Sequence, residues 1–183
     1  QNVGSKVIMA MTLITTNTES GDATSSFTSS IDSTYKLYIF KWINCNPATD
    51  NQAFKVNFST DGGSNYNMSK TVTSLLIYHG ENDGGGLMEN NSNLGNNTGG
   101  MALATGTGNG ADEHTSGTLW LFNPSNTTYV KHIYSVGVNY YSSDQMYHRF
   151  SSGYINSTSD VDAVQFKFDS GNFDGTIKMY GVG

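Results

Sequence analysis

Histidine and carboxylate side chains stand at both ends of a Gly/Asn-rich segment that covers about residues 80–116. His79, Glu81 and Asp83 lie at its beginning, and Asp112 and His114 lie near its end. If the segment folds back on itself, these side chains can offer the nitrogen and oxygen ligands of a metal site. Neither group has the spacing of a zinc signature. The sequence therefore favours solvated loop residues and predicts no metal.

Three pairs of neighbouring carboxylates are candidates for glycosidase chemistry, which needs two carboxyl groups roughly 5–10 Å apart. The pairs are Glu81 with Asp83, Asp112 with Glu113, and Asp160 with Asp162. Each pair stands beside a predicted turn or loop, where turn chemistry favours Asp without any catalytic role. The sequence contains no G-x-S-x-G nucleophile elbow, no P-loop and no dinucleotide fingerprint. We therefore predict that the protein is not an enzyme and binds no cofactor.

The late stretch DSGNFDG (169–175) carries three oxygen side chains, from Asp169, Asn172 and Asp174, and so suggests a calcium loop. An EF-hand loop requires ligands at alternate positions and a Glu at position 12. Asp169 is out of phase with the other two, and position 12 counted from Ser170 is Gly181. We interpret the stretch as a turn between two strands, with a calcium site of another type as the alternative.

Aromatic residues form a second group with binding potential, because their ring faces can stack on sugar rings. Trp120, Tyr140, Tyr141 and Tyr147 are candidates for contact with a glycan or with a partner protein. The alternative, which the sequence favours, is that alternating aromatics form the sheet core or cross-strand pairs.

Composition and charge exclude several classes of function. The chain has 183 residues, a formal net charge of −6 and only nine Lys and Arg, which are scattered, so a nucleic-acid partner is not expected. No apolar run approaches the roughly 20 residues of a membrane span. We interpret the opening QNVGSKVIMAMTLITT as a first strand rather than a signal peptide. The single cysteine, Cys45, lies in an alternating apolar run and is expected to be a small buried side chain.

Alternation of apolar and polar residues predicts an all-β protein with about nine or ten strands. The predicted strands are residues 7–14, 34–44, 52–60, 69–79, 117–124, 127–141, 145–155, 162–168 and 175–182. In TYKLYIFKWIN (34–44) both faces are largely apolar, which suggests a central strand covered on both sides, in part by a neighbouring subunit. The spacing predicts one domain, residues 1–183, built as an antiparallel β-sandwich with jelly-roll-like connectivity. Residues 80–116 are predicted as one long loop, within which LMENNSNL is ambiguous between a short helix and a strand.

Several blocks of the sequence also carry a resemblance. They are FTSSIDSTYKLYIFKWINCNPATDNQAF, FSTDGGSNYN, SGTLWLFNPSNTTYVKH and SGYINSTSDVDAVQFKFDSGNFDGTIKMYGV, of which TYVKH and the closing SGNFDGTIKMYG are the most specific. In content and order, from about residue 7 to the end, the chain resembles small β-rich virion structural proteins of marine tailed bacteriophages. The resemblance implies a protein exposed on the particle, as a capsid decoration or a fibre component. It implies no catalytic residues.

The leading hypothesis is a non-enzymatic protein of the virion surface that contacts other virion proteins, as a capsid decoration or cement or as part of a fibre. A homo-oligomer is expected, with a trimer favoured, because closed oligomers avoid runaway assembly. A carbohydrate- or host-receptor-binding module with a host glycan as partner is the second hypothesis. A polysaccharide depolymerase that uses the loop carboxylates is the third. The 80–116 loop is the expected partner contact, because long loops on a rigid scaffold commonly carry recognition.

Overall fold

A computed structural model describes residues 10–84, 86, 88–90 and 92–183, and within these residues every regular element is a strand. The described residues form thirteen strands. They are β1 Met11–Asp22, β2 Ser25–Phe27, β3 Leu37–Pro47, β4 Gln52–Ser59, β5 Lys70–Gly80, β6 Met88–Asn90, β7 Leu94–Asn97, β8 Met101–Thr107, β9 Thr115–Phe122, β10 Lys131–Tyr141, β11 Gln145–Ile155, β12 Ala163–Phe168 and β13 Phe173–Val182. The all-β prediction is therefore confirmed.

The strands form one antiparallel sheet that nearly closes into a barrel. Its main path runs β1-β13-β3-β9-β10-β8-β4-β12-β2, and a branch adds β11, β5, β6 and β7 beyond β10. The two ends of the path, β1 and β2, are joined by a side chain instead of a backbone ladder. Asn17 of β1 donates hydrogen bonds to the hydroxyl of Ser25 at 3.1 Å and to the carbonyl oxygen of Ser26 at 3.2 Å.

The core lies between the inward faces of β3, β9 and β13 on one side and β4, β8 and β12 on the other. The predicted strand 52–60 is β4, and its alternate residues Phe54, Val56 and Phe58 are buried. On β12, Val164, Phe166 and Phe168 are buried in the same way. Aromatic rings dominate this core. The buried aromatic residues are Phe27, Tyr38, Phe40, Trp42, Phe54, Phe58, Phe166, Phe168 and Phe173.

Two glycines make room for the largest core side chain. Gly117 of β9 and Gly137 of β10 are direct cross-strand partners, and the indole of Trp42 lies over both. A Cβ atom on Gly137 would lie 2.7 Å from the Trp42 ring. The indole N–H donates to the Thr115 hydroxyl at 3.1 Å, which in turn donates to the carbonyl oxygen of Val138 at 3.0 Å. Trp42 is thereby both packed and hydrogen-bonded, as a buried Trp requires.

The prediction of one long loop over residues 80–116 is corrected by the structure. Strands β6, β7 and β8 lie inside this segment, and β9 begins at its end. The short apolar run Met101–Ala104 supplies four buried side chains to the core. The run is flanked by Gly and Asn on both sides, and that local composition obscured a core strand. Of LMENNSNL, residues 87 and 91 lie outside the described residues, and the remainder contributes to β6 and β7.

The other predicted strands agree with the structure to within four residues at their ends, except the first. That strand is predicted over 7–14, whereas β1 extends to Asp22, and residues 7–9 lie outside the described residues. The short strand β2 is not predicted from the sequence. β12 and β13 follow each other in the chain but are not paired, because each belongs to a different side of the core. Residues 169–172 of DSGNFDG therefore cross between the two sides and are not a hairpin turn, and residues 173–175 begin β13.

Candidate binding surfaces

Eight of the nine residues predicted as candidate contacts meet at one end of the sheet, where the β10–β11 hairpin turns. The antiparallel pairing of β5 with β11 and of β11 with β10 sets His79 beside Met146, and Met146 beside Tyr140. The backbone N–H of Tyr140 donates to the carbonyl oxygen of His114 at 3.0 Å, which brings the 112–114 loop to the same place. We call this end of the sheet the rim.

Tyr140 organises the acidic part of the rim. Its hydroxyl lies 3.0 Å from the Glu81 carboxylate and 3.2 Å from the Asp144 carboxylate. The hydrogen bond to Glu81 and the neighbouring Asp144 raise the pKa of Tyr140. Glu81 and Asp144 border a cavity of about 360 Å³ together with Asn82, Ser143 and Gln145. Asp144, in the turn of the hairpin, was missed in the sequence because it forms no motif with the residues it meets.

Tyr141 and Tyr147 also lie at the rim, but their rings are largely occupied by each other. They stack with centroids 4.5 Å apart and planes 10° apart. Tyr147 also packs against its cross-strand partner Tyr78, with a centroid distance of 5.4 Å. The other side of Tyr141 covers Gly106, where a Cβ atom would collide with the ring. These rings are therefore cross-strand packing, as the favoured alternative predicted, with only their edges available to a ligand.

The histidines and carboxylates do not assemble a metal centre. Within the described residues, no three His, Cys, Asp or Glu side chains lie close enough to hold a metal ion. His79 Nε2 lies 3.5 Å from the Asp83 carboxylate, and the His114 ring lies 3.3 Å from the carbonyl oxygen of Asp112. The two groups at the ends of the 80–116 segment thus each interact locally, in their own turns.

The remaining candidate oxygens are engaged in turns. The carboxylate of Glu113 accepts from the Gly110 N–H, and that of Asp162 accepts from the Gly62 N–H at 3.0 Å. In the DSGNFDG stretch, Asp169 forms an ion pair with Lys55 at 2.7 Å, and Asp174 accepts from the Gly21 N–H at 2.7 Å. The oxygens of Asp169 and Asp174 therefore have separate partners.

Cys45 is fully buried, and its burial raises the pKa of the thiol to about 12. A thiol that stays protonated is a poor nucleophile. The arrangement agrees with the small buried side chain predicted from the sequence.

Trp120, the ninth candidate, lies away from the rim on the outward side of β9. It packs against its direct cross-strand partner Tyr134, with ring centroids 5.3 Å apart. The pair belongs to a continuous surface formed by the outward residues of β9, β10, β11 and β5, which we call the outer face. By register, its members are Ser116, Thr118, Trp120, Phe122, His132, Tyr134, Val136, Val138, Tyr140, Met146, His148, Phe150, Ser152, Tyr154, Thr71, Thr73, Leu75, Ile77 and His79.

The outer face contains no Asp, Glu, Lys or Arg. Leu75, Ile77, Val138 and Met146 are between 37% and 51% exposed on it. The layer that bears the outer face runs β1-β13-β3-β9-β10-β11-β5. Every exposed large hydrophobic residue of the described chain lies on the outward side of this layer, except Tyr129. Tyr129, in the loop before β10, is 71% exposed.

The inward side of β5, β10 and β11 is, by contrast, unusually polar. Arg149, Ser151, Ser74, Ser135 and Asn139 are buried there. Several of them donate to β8, which covers this side. The Arg149 guanidinium donates to the Thr105 hydroxyl at 2.9 Å, and the Asn139 amide donates to the Thr105 carbonyl oxygen at 3.1 Å.

Two fully buried lysines extend this polar interior. Lys70 and Lys131 flank Ile155 on neighbouring strands. The Lys70 ammonium donates to the carbonyl oxygens of Met68 at 2.9 Å and Gly99 at 2.7 Å. Burial lowers the pKa of Lys70 to about 8, and burial also lowers the pKa of Lys131. Each lysine therefore ties loop carbonyls to the sheet at a cost in desolvation.

Comparison with protein-family models, curated proteins and solved structures finds no match to this chain. The resemblance to phage virion proteins therefore stays a prediction. No helix of the described residues has the length and hydropathy of a membrane span. Functional inference rests on the rim and the outer face.

Proposed function

We propose that this chain is a non-enzymatic structural protein of the surface of a bacteriophage particle, where it acts through protein–protein contacts. The observation that carries the proposal is the outer face, which is uncharged and rich in aliphatic and aromatic side chains. Monomeric proteins rarely expose large contiguous apolar patches, and such patches mark interaction sites. Depletion of charge together with enrichment of Tyr, Trp, Phe and Met is the composition of a protein interface core.

The finer architecture is part of the same proposal. The two sides of the core correspond to the layers of a β-sandwich with jelly-roll-like connectivity, in which one layer presents its outward side to a partner. The proposed partners are other capsid or fibre proteins and further copies of the chain, with a homotrimer favoured. As a capsid decoration or cement, the chain covers the shell, and as a fibre component it adds to a projecting appendage.

Peptide mass spectrometry of gradient-purified phage particles tests the proposed function. The proposal predicts peptides of this chain in the particle fraction, at a constant ratio to the major capsid protein through successive purification steps. A cytosolic host protein serves as the control for carry-over. Loss of this chain together with the host protein during purification contradicts the proposal.

A glycan- or host-receptor-binding module is a second candidate, favoured by the rim. The carboxylates of Glu81 and Asp144 and the amides of Asn82 and Gln145 border one cavity with hydrogen-bonding groups suited to sugar hydroxyls, and the Tyr140 hydroxyl lies beside both carboxylates. A glycan array with the wild-type chain separates this candidate from a purely structural protein, which binds no glycan. The third candidate, a depolymerase, has these same carboxylates as its only support, and release of oligosaccharides from host capsule tests it.

A further inference from the structure

On two neighbouring strands, β10 and β11, several inward residues are polar and several outward residues are apolar. On β11 the inward residues Arg149 and Ser151 are buried within the chain, whereas the outward residues His148 and Phe150 form the outer face. On β10 the inward Ser135 is likewise polar, although it is buried. A strand with one face on its own core and one face in water has the opposite pattern. The outward side of these strands thus has the character of a core.

We propose that the outer face binds the same face of other copies of this chain. The inference rests on the proposed function, because it names the partner that this interaction surface takes. Charge, area and shape favour a copy of the chain as the partner that covers this face.

Charge favours a contact between the outer faces of several copies. Any two copies carry a net charge of −6 each and repel one another over most of their surface. The outer face offers a region where no carboxylate and no ammonium of one copy meets a like charge of the next. Within the described residues, charged groups stand at its borders, with Lys41 on β3 at one side and Glu81, Asp144 and Asp112 at the rim, where Asp112 borders a cavity with Val138 and Met146. An uncharged centre with a charged border is the anatomy of an interface.

The area of the face is sufficient for a stable contact. Four strands about 4.8 Å apart and about 30 Å long give a flat area of about 600 Å². The face ends at β3 and β13, where the outward Lys41 and Lys178 are cross-strand partners, so its area is at the low end of the range for specific interfaces, about 600 Å² per partner. A standard interface buries about 800 Å² per partner, and crystal-packing contacts typically bury less than half of that.

The surface also has relief that a second copy can fill. A depression of about 250 Å³ opens on the face between Leu75, Phe150 and Tyr134, where Thr73 and Ser152 are too small to fill it. The Trp120–Tyr134 pair lies along its border and supplies large side chains to a facing copy. Large aromatic side chains that enter pockets of this kind supply most of the binding energy in protein interfaces.

Sedimentation velocity and light scattering of the wild-type chain and of Val138→Lys test the proposal. Val138 is 44% exposed, so lysine is compatible with the fold of a single copy. In the contact it places an added charge on a covered part of the face near the rim, where Asp112 and His114 border the same cavity as Val138. We expect the wild type to sediment as a closed multiple of the 19.8 kDa chain and the variant to associate at least about 30-fold more weakly. Leu75→Lys is a second variant with the same expected result.

Tyr129→Lys is the matched control, since among the described residues it replaces the exposed large hydrophobic residue that lies away from the layer that bears the outer face. It leaves association unchanged, and thermal unfolding monitors the fold of all three variants. A monomeric wild type, or Val138→Lys and Leu75→Lys variants that are folded and associate normally, overturns the proposal. If the wild type is monomeric but present in purified particles, the proposed function stands and only self-association fails. If the wild type associates but is absent from purified particles, self-association stands and the proposed function fails.

Discussion

Phe54 is the residue whose loss should damage the core most. It is fully buried on β4, and its ring contacts Phe168 on the neighbouring β12 with a centroid distance of 4.8 Å. Across the core it contacts Phe173 at 5.8 Å and Trp42 at 6.1 Å. Phe54→Ala therefore removes one ring from the contact between both sides of the sheet and leaves a cavity among aromatic side chains that cannot collapse easily.

The aromatic surroundings of Phe54 set the expected loss in the free energy of unfolding. Replacement of a buried Phe by Ala costs about 3–5 kcal/mol, and the rigid aromatic surroundings favour the middle of that range, about 4 kcal/mol. For a chain of this length, each kcal/mol shifts the midpoint of thermal unfolding by about 2–4 °C, which gives a drop of about 8–16 °C. Phe54→Leu, which keeps much of the volume, should cost about 1–2 kcal/mol.

Urea unfolding followed by tryptophan fluorescence measures these free energies, at one fixed protein concentration because the proposed association contributes to stability. Tyr129→Ala is the control, and its loss should stay within about 0.5 kcal/mol because the side chain is 71% exposed. A loss below about 1 kcal/mol for a cooperatively unfolding Phe54→Ala variant would refute the packing described for the core.

Two further predictions concern the polar interior and the rim. Lys70 has a pKa of about 8 in the folded chain and about 10.4 when unfolded, so the unfolded state binds more protons between these values. The free energy of unfolding of the wild type should therefore rise from pH 8 to 10 relative to that of Lys70→Met, by at most about 1.4 kcal/mol per pH unit; parallel curves would contradict this. At the rim, Tyr140→Phe removes the hydroxyl between Glu81 and Asp144. If the wild type binds a glycan on an array, this variant should bind it at least about fivefold more weakly through loss of a hydrogen bond, whereas unchanged binding would place the ligand elsewhere.

Local alternation predicts most of the long strands, but it predicts neither the short strands β2, β6, β7 and β8 nor the partners of any strand. The faces of β4 and β12 follow directly from the order of apolar and polar residues. Strand β8 was missed because its apolar run is only four residues long and Gly and Asn surround it. The long loop predicted for 80–116 was the consequence of that omission.

The rim shows why a site assembled by pairing is hard to predict. His79 and Glu81 were grouped with Asp112 and His114 only on the hypothesis that the intervening segment folds back. In the structure, the pairing of β5 with β11 and of β11 with β10 brings these ends together around Tyr140, and the histidines remain in their own turns. The sequence also does not show which side of β5, β10 and β11 faces outward. That depends on β8, which covers their inward side.

Hydroxyl-radical footprinting of the wild-type chain tests most directly whether protein covers the outer face. Tyr134 and Met146 are 37% and 51% exposed in a single copy, and Tyr129 is 71% exposed. If other copies cover the outer face, Tyr134 and Met146 are oxidised several-fold more slowly in the wild type than in the Val138→Lys variant, while Tyr129 reacts equally in both. Equal oxidation of Tyr134 and Met146 in the two proteins, at a concentration where the wild type should be assembled, would contradict it.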